Sequence, residues 1–118
     1  MDSIFEKTLR YDFYGDLLTD RQKEIYEDVV FNDMSLSEAA EQYGISRQGV
    51  SDMIRRSDKA MAEYEEKLHC IRQYKAVQLE LDRLRKAVNG TDLSEQKKEM
   101  ILSIADAIGN SMRDSDGI

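Results

Sequence analysis

Residues 36–56 read Leu-Ser-Glu-Ala-Ala-Glu-Gln-Tyr-Gly-Ile-Ser-Arg-Gln-Gly-Val-Ser-Asp-Met-Ile-Arg-Arg, and this stretch decides the fold. Ser35 is followed three residues later by Glu38, the spacing of a capping box that satisfies two backbone N–H groups reciprocally. It opens a short helix with Leu36, Ala39, Ala40 and Tyr43 on its apolar face. Gly44 then stands where a tight turn requires a positive φ. Ser46 can cap the next helix, whose inner face is Val50, Met53 and Ile54. Two short helices joined across one glycine cross steeply, so they need a small residue where they meet. Ala40 supplies it, and Ile45, Val50 and Met53 face back. The pattern is a helix-turn-helix.

In such a motif the outward residues at the start of the second helix meet a major groove. Here they are Arg47, Gln48, Ser51 and Asp52, with Arg55 and Arg56 one turn on. Arginine suits guanine and glutamine suits adenine, which would assign reading to Arg47 and Gln48. Arg55 and Arg56 suit phosphates. Two residues weigh against this use. Gly49 inside the helix costs about 1 kcal/mol relative to alanine, and Asp52 puts a negative charge on the face that would meet DNA.

Working outward, Phe5, Leu9, Phe13 and Leu17 recur in steps of four, one face of a first helix that ends near Gly15. Thr19 and Gln22 form another capping box, and Ile25, Tyr26, Val29 and Val30 follow as a buried stripe closed by Asn32-Asp33. Between Arg47 and Val88 there is no proline, and Gly49 is the single glycine. A bend is expected at Ser57–Lys59, where apolar residues are sparsest. Asn89-Gly90 is a stop signal. Asp92 and Glu95 suggest the cap of a last helix with Ile101, Ile104, Ala105 and Ile108 inward, stopped by Gly109-Asn110. The expectation is an all-α chain of about five helices. Residues 1–60 would hold the N-terminal helices and the motif (36–56), and 61–110 a long helical extension. Residues 111–118 would be a disordered tail.

The extension carries Met61, Tyr64, Leu68, Ile71, Tyr74, Val77, Leu81, Leu84 and Val88 at steps of three and four. A helix that long exceeds what about 50 preceding residues can cover. Met61, Tyr64, Leu68, Ile71, Leu81 and Leu84 are therefore the candidate seam of a homodimer.

The chain has 118 residues, with 17 basic and 24 acidic side chains and a net charge of −7, which disfavours a purely electrostatic nucleic-acid binder. Residues 1–34 carry net −5 and residues 91–118 net −3, whereas 35–60 are neutral and 61–90 carry +1. Only the middle of the chain would not repel an anion. One cysteine fits a reducing compartment. No apolar run approaches a membrane span, and no signal peptide is visible, so a cytoplasmic protein with no membrane partner is expected. Catalysis lacks a constellation. His69 and Cys70 are adjacent, so on a helix their side chains diverge by roughly 100° and form no dyad. Adding Glu66 does not make a metal site. No glycine-rich phosphate loop is present, and no cofactor is expected.

Leu18-Thr19-Asp20-Arg21-Gln22-Lys23-Glu24, Leu36-Ser37-Glu38-Ala39-Ala40 and Ile45-Ser46-Arg47-Gln48-Gly49-Val50 resemble region four of bacterial sigma factors. With Tyr11-Asp12-Phe13-Tyr14-Gly15 before them and Tyr64-Glu65-Glu66-Lys67-Leu68 after, the chain over about residues 5–110 resembles the YlxM family of small bacterial proteins. That resemblance implies a Gram-positive source. It also implies a non-enzymatic regulatory role in the signal recognition particle pathway, inferred from gene neighbourhood, with the particle's components or its receptor as partners. A dimeric DNA-binding transcription regulator and a protein-only adaptor that uses the motif as a scaffold are the alternatives, and DNA and RNA both remain candidate ligands.

Overall fold

A computed structural model describes residues 3–113. The described residues are helical and contain no strand. Six helices follow in order: α1 (Ile4–Tyr14), α2 (Asp20–Tyr26), α3 (Leu36–Tyr43), α4 (Arg47–Leu68), α5 (Cys70–Asn89) and α6 (Glu95–Arg113). They divide into two compact units at the step from Leu68 to His69.

In the first unit, local side-chain chemistry starts each helix. Ser3 Oγ accepts the Glu6 N–H. The capping box at Thr19 is complete: Thr19 Oγ1 accepts from Gln22 N and Gln22 Oε1 accepts from Thr19 N. The last turn of this helix, Glu27–Phe31, widens to a π geometry that ends when Asn32 N–H bonds Glu27 O at 3.0 Å. Leu9, Tyr14, Ile25, Tyr26, Val50 and Met61 are buried in this unit. Each such side chain contributes about 2 kcal/mol of burial. Tyr11 and Tyr26 stack with ring centroids 5.5 Å apart, and Phe31 tilts against both. The phenols find carboxylates: Tyr14 Oη donates to Glu65 and Tyr26 Oη to Asp58, both at 2.5 Å, and Tyr11 Oη donates to Glu27. Burial first, and the Glu27 bond second, push the Tyr11 hydroxyl well above the ordinary tyrosine value. The spacing of four put Phe5 and Leu17 on the inner face of α1, but both are exposed; the line that packs inward runs through Leu9 and Tyr14.

No bend occurs at Ser57–Lys59. α4 passes through it as a regular helix of 22 residues. Ser57 is buried there, and Asp58 both accepts from Tyr26 and pairs with Lys7 at 3.6 Å, so α1 and α2 hold this turn in place. The interruption comes at His69, whose backbone is left-handed with φ 60°. His69 and Cys70 therefore flank a helix break rather than sharing one helix surface.

The second unit is an antiparallel pair, α5 and α6. α5 ends at Asn89, as the Asn-Gly signal implied. The cap of α6 is Ser94, whose Oγ accepts from Lys97 N at 3.2 Å, and not Asp92. Thr91 Oγ1 donates to Val88 O, which draws residues 91 and 92 into the turn before a helix can start. Gly109-Asn110 does not stop α6. Gly109 is buried, and a Cβ on it would lie 2.9 Å from Gln78 Nε2 and 3.3 Å from Leu81 Cδ1. The glycine thus permits close helix approach and terminates nothing. Ser111, Met112 and Arg113, assigned to the tail from sequence, are helical; residues 114–118 lie outside the described residues. Ile71, Leu81, Val88 and Ala105 are buried, while Ile104 and Ile108, expected inward, are exposed.

Candidate functional site

The site is built on the turn between α3 and α4. Ser35 and Glu38 exchange both bonds of the capping box, at 3.0 and 3.1 Å. Those bonds hold the Glu38 carboxyl below its ordinary range. Gly44 has φ 67°, and the Ile45 N–H reaches back to Ala40 O at 3.1 Å, closing α3 as the Schellman arrangement does. Arg21 Nη2 donates to the Tyr43 carbonyl at 2.9 Å, so α2 also satisfies this helix end. Tyr43 Oη donates to Asp28, and that bond, followed by burial, pushes its pKa up to about 12. Ile25, Ala39 and Val50 form the enclosed centre, with Leu36, Ala40, Ile45, Met53 and Ile54 against it. The small residue fully enclosed between the helices is Ala39; Ala40, expected in that place, is partly covered.

α4 starts at Arg47, with Ser46 Oγ accepting the Gly49 N–H at 2.9 Å. Gly49 therefore lies in the first turn, where the cap acts, and a Cβ on it would come within 3.2 Å of Ser46 Oγ. The glycine that looked costly in a helix interior makes room for the cap.

The six candidate contact residues fall on the outer side of α4. Arg47, Gln48, Arg55 and Arg56 are exposed, and Ser51 and Asp52 are half-buried. At about 100° per residue, Gln48, Ser51, Asp52 and Arg55 occupy the middle of this face, with Arg47 and Arg56 on its flanks. Asp52 organises the middle. Its Oδ1 accepts from Gln48 Nε2 at 3.0 Å and from Arg55 Nη2 at 2.6 Å. These two bonds hold the Asp52 carboxyl below its ordinary range. The (i, i+4) and (i, i+3) spacings are visible in the sequence and could have announced both bonds. Arg47 and Arg56 make no ion pair among the described residues. Leu36, Arg47, Gln48 and Ser51 line an open depression of about 390 Å³.

The candidate dimer residues are scattered. Met61, Ile71 and Leu81 are buried, and Tyr64 is half-buried with its ring 6.0 Å from that of Tyr14. Leu68 and Leu84 are exposed. Among the described residues no group of three or more His, Cys, Asp or Glu side chains could hold a metal ion. Nor is any helix of them long and apolar enough to cross a membrane.

Residues 2–101 match the model of the UPF0122 family, described as "Putative helix-turn-helix protein, YlxM / p13 like". The chain belongs to that family. A UPF0122 protein of Thermoanaerobacter sp. (strain X514) is 38% identical over 113 residues, 96% of either chain. One of Symbiobacterium thermophilum is 37% identical over 107 residues, covering 91% of this chain and all of the relative. One of Geobacillus kaustophilus is 43% identical over 86 residues, 70% of this chain and 78% of the relative. The family description is that of a helix-turn-helix protein and points away from catalysis.

Proposed function

We propose that this UPF0122 protein is a cytoplasmic, non-enzymatic regulatory binding protein. Its contact surface is the outer face of α4, and its place is the signal recognition particle pathway. The observation that supports this most is the capped, core-anchored start of α4, which presents Arg47, Arg55 and Arg56 outward against a single carboxylate, Asp52. Such a face offers net positive charge on an otherwise acidic chain, so an anionic partner approaches it there. The pathway assignment rests on the likeness to the YlxM family. The particle's RNA, its GTPase and the receptor are the partners to test.

A second reading, a transcription regulator that reads DNA, draws on Arg47, which has the position and freedom to reach a base edge. Asp52 opposes that reading because it engages Gln48 and stands toward the phosphates.

Purified protein titrated against labelled particle RNA, the GTPase, the receptor and random duplex DNA separates the two. The pathway reading expects saturable binding to one of the first three, weakened about tenfold or more by Arg47→Ala together with Arg56→Ala. Binding to DNA alone, with base preference altered by Arg47→Ala, would replace it with the transcription reading. Failure of all three pathway components to bind ends it.

A further inference from the structure

The two flanks of the α5–α6 hairpin are unlike. On one, Arg85 bridges the helices, donating to Asp106 at 2.9 Å and to Asp82 at 2.8 Å. The opposite flank is lined by apolar side chains. There α5 contributes Leu84, 40% exposed, and α6 contributes Met100, Ile104 and Ile108, which are 62%, 56% and 45% exposed. The three α6 residues stand at successive steps of four, with Ser103, Ala107 and Ser111 alongside them. From Met100 to Met112 the single charged residue is Asp106, and it is engaged on the other flank. Three turns of α6 therefore present a charge-free stripe of large and small side chains.

We propose that this stripe is the interface for a second copy of the chain, two hairpins packing as an antiparallel four-helix bundle. Three observations carry it. A pair of helices buries only one seam, and in four-helix bundles a second pair covers the rest. The chain carries −7, so two copies repel over most of their surfaces and can approach most closely where a helix face bears no charge. The size also suffices. α6 is about 28 Å long and two helices are roughly 20 Å across, so the full face of one hairpin laid on that of its copy would bury about 1,100 Å² in total, near the ~1,000 Å² expected of a specific interface. Large residues beside small ones on a two-fold related stripe interdigitate without a polar partner. The proposal stands independently of the function proposed above. It moves the homodimer away from Met61, Ile71 and Leu81, which the chain buries itself, and retains Leu84 from the seam read in the sequence.

Sedimentation equilibrium of the full chain tests it. The wild type is expected to be a dimer at concentrations on the order of 10 μM. Ile104→Glu should raise the dimer dissociation constant by about 30-fold or more while leaving the helical circular dichroism unchanged. Should that variant lose helicity, Ile104→Cys in a Cys70→Ser background provides a second reading. Mild oxidation should give a covalent dimer, and Asn110→Cys, on the opposite flank, should not. A wild-type monomer at about 100 μM overturns the proposal and leaves the stripe to a different protein. A dimer that survives both Ile104→Glu and Leu84→Glu overturns it too, by placing the interface elsewhere.

Discussion

The two units solve the same problem with unequal means. The seven largest fully buried side chains, Leu9, Tyr14, Ile25, Tyr26, Val50, Ser57 and Met61, all lie in the first unit. Among the described hydrophobic residues of the second, only Ala105 reaches that degree of burial, and six large apolar residues from Leu79 to Ile108 remain exposed. Four helices packed together can enclose a centre, whereas two antiparallel helices can only share a seam. One chain can hold a unit that encloses its own core and another whose apolar surface exceeds what its own helices cover.

Identical truncations in the two units give the largest expected contrast. Ile25→Ala removes a side chain at the centre of the helix-turn-helix core and should cost about 3 kcal/mol, read as a lower urea midpoint. Ile104→Ala, at a concentration low enough for monomers, should change stability by less than about 0.5 kcal/mol. Comparable losses at both sites would erase the distinction. A middle-sized effect is expected at Gly109→Val. The branched side chain would press on Leu81 and Gln78, and overpacking of this kind costs roughly 2 kcal/mol. It should melt the hairpin and leave the first unit's amide protection intact, as hydrogen exchange would register.

Alkaline titration probes the first unit's polar buttress. Tyr43 is neutral when it donates to Asp28, and its pKa is raised from near 10 to about 12. A raised folded value means that the bond contributes fully below pH 10 and is lost as pH climbs towards 12. Tyrosinate absorbance compared with a Tyr43→Phe variant should place this residue's ionisation near 12, and Asp28→Asn should bring it down. Ionisation near 10 in the wild type would remove this tie between α2 and α3.

Helix starts were legible because they are local. Thr19 with Gln22 and Ser35 with Glu38 need only a spacing of three, and Gly44 announces its positive φ by being glycine. What escaped was set by distant partners. His69 is left-handed with φ 60°, and the apolar period that runs unbroken through 61–88 does not announce the break there. Gly109 looks like a stop when its real neighbours, Gln78 and Leu81, are some 30 positions away. The period of α6 marks an apolar sector but does not say which edge α5 covers, so it predicts Ile104 and Ile108 inward where the structure exposes both. At the candidate site the helical period alone places the six residues along one face of α4, whereas the hold of Asp52 on Gln48 and Arg55 depends on rotamers that spacing does not fix.

A smaller effect, and one of opposite sign to the core truncation, is expected at the spot where the sequence predicts a bend. Ser57 Oγ is buried in the first unit without a hydrogen-bond partner. A hydroxyl taken from water and left unpaired costs about 1–3 kcal/mol, and alanine is the better helix former. Ser57→Ala should therefore stabilise the unit by about 1 kcal/mol, raising its melting temperature by roughly 4–8 °C. The gain would mean that the first unit is dry and over-determined enough to keep α4 straight in spite of a misplaced hydroxyl. A loss would mean instead that Ser57 holds a buried water between α4 and its neighbours. The enclosed unit would then owe part of its order to solvent, and the contrast with the open hairpin would be one of degree.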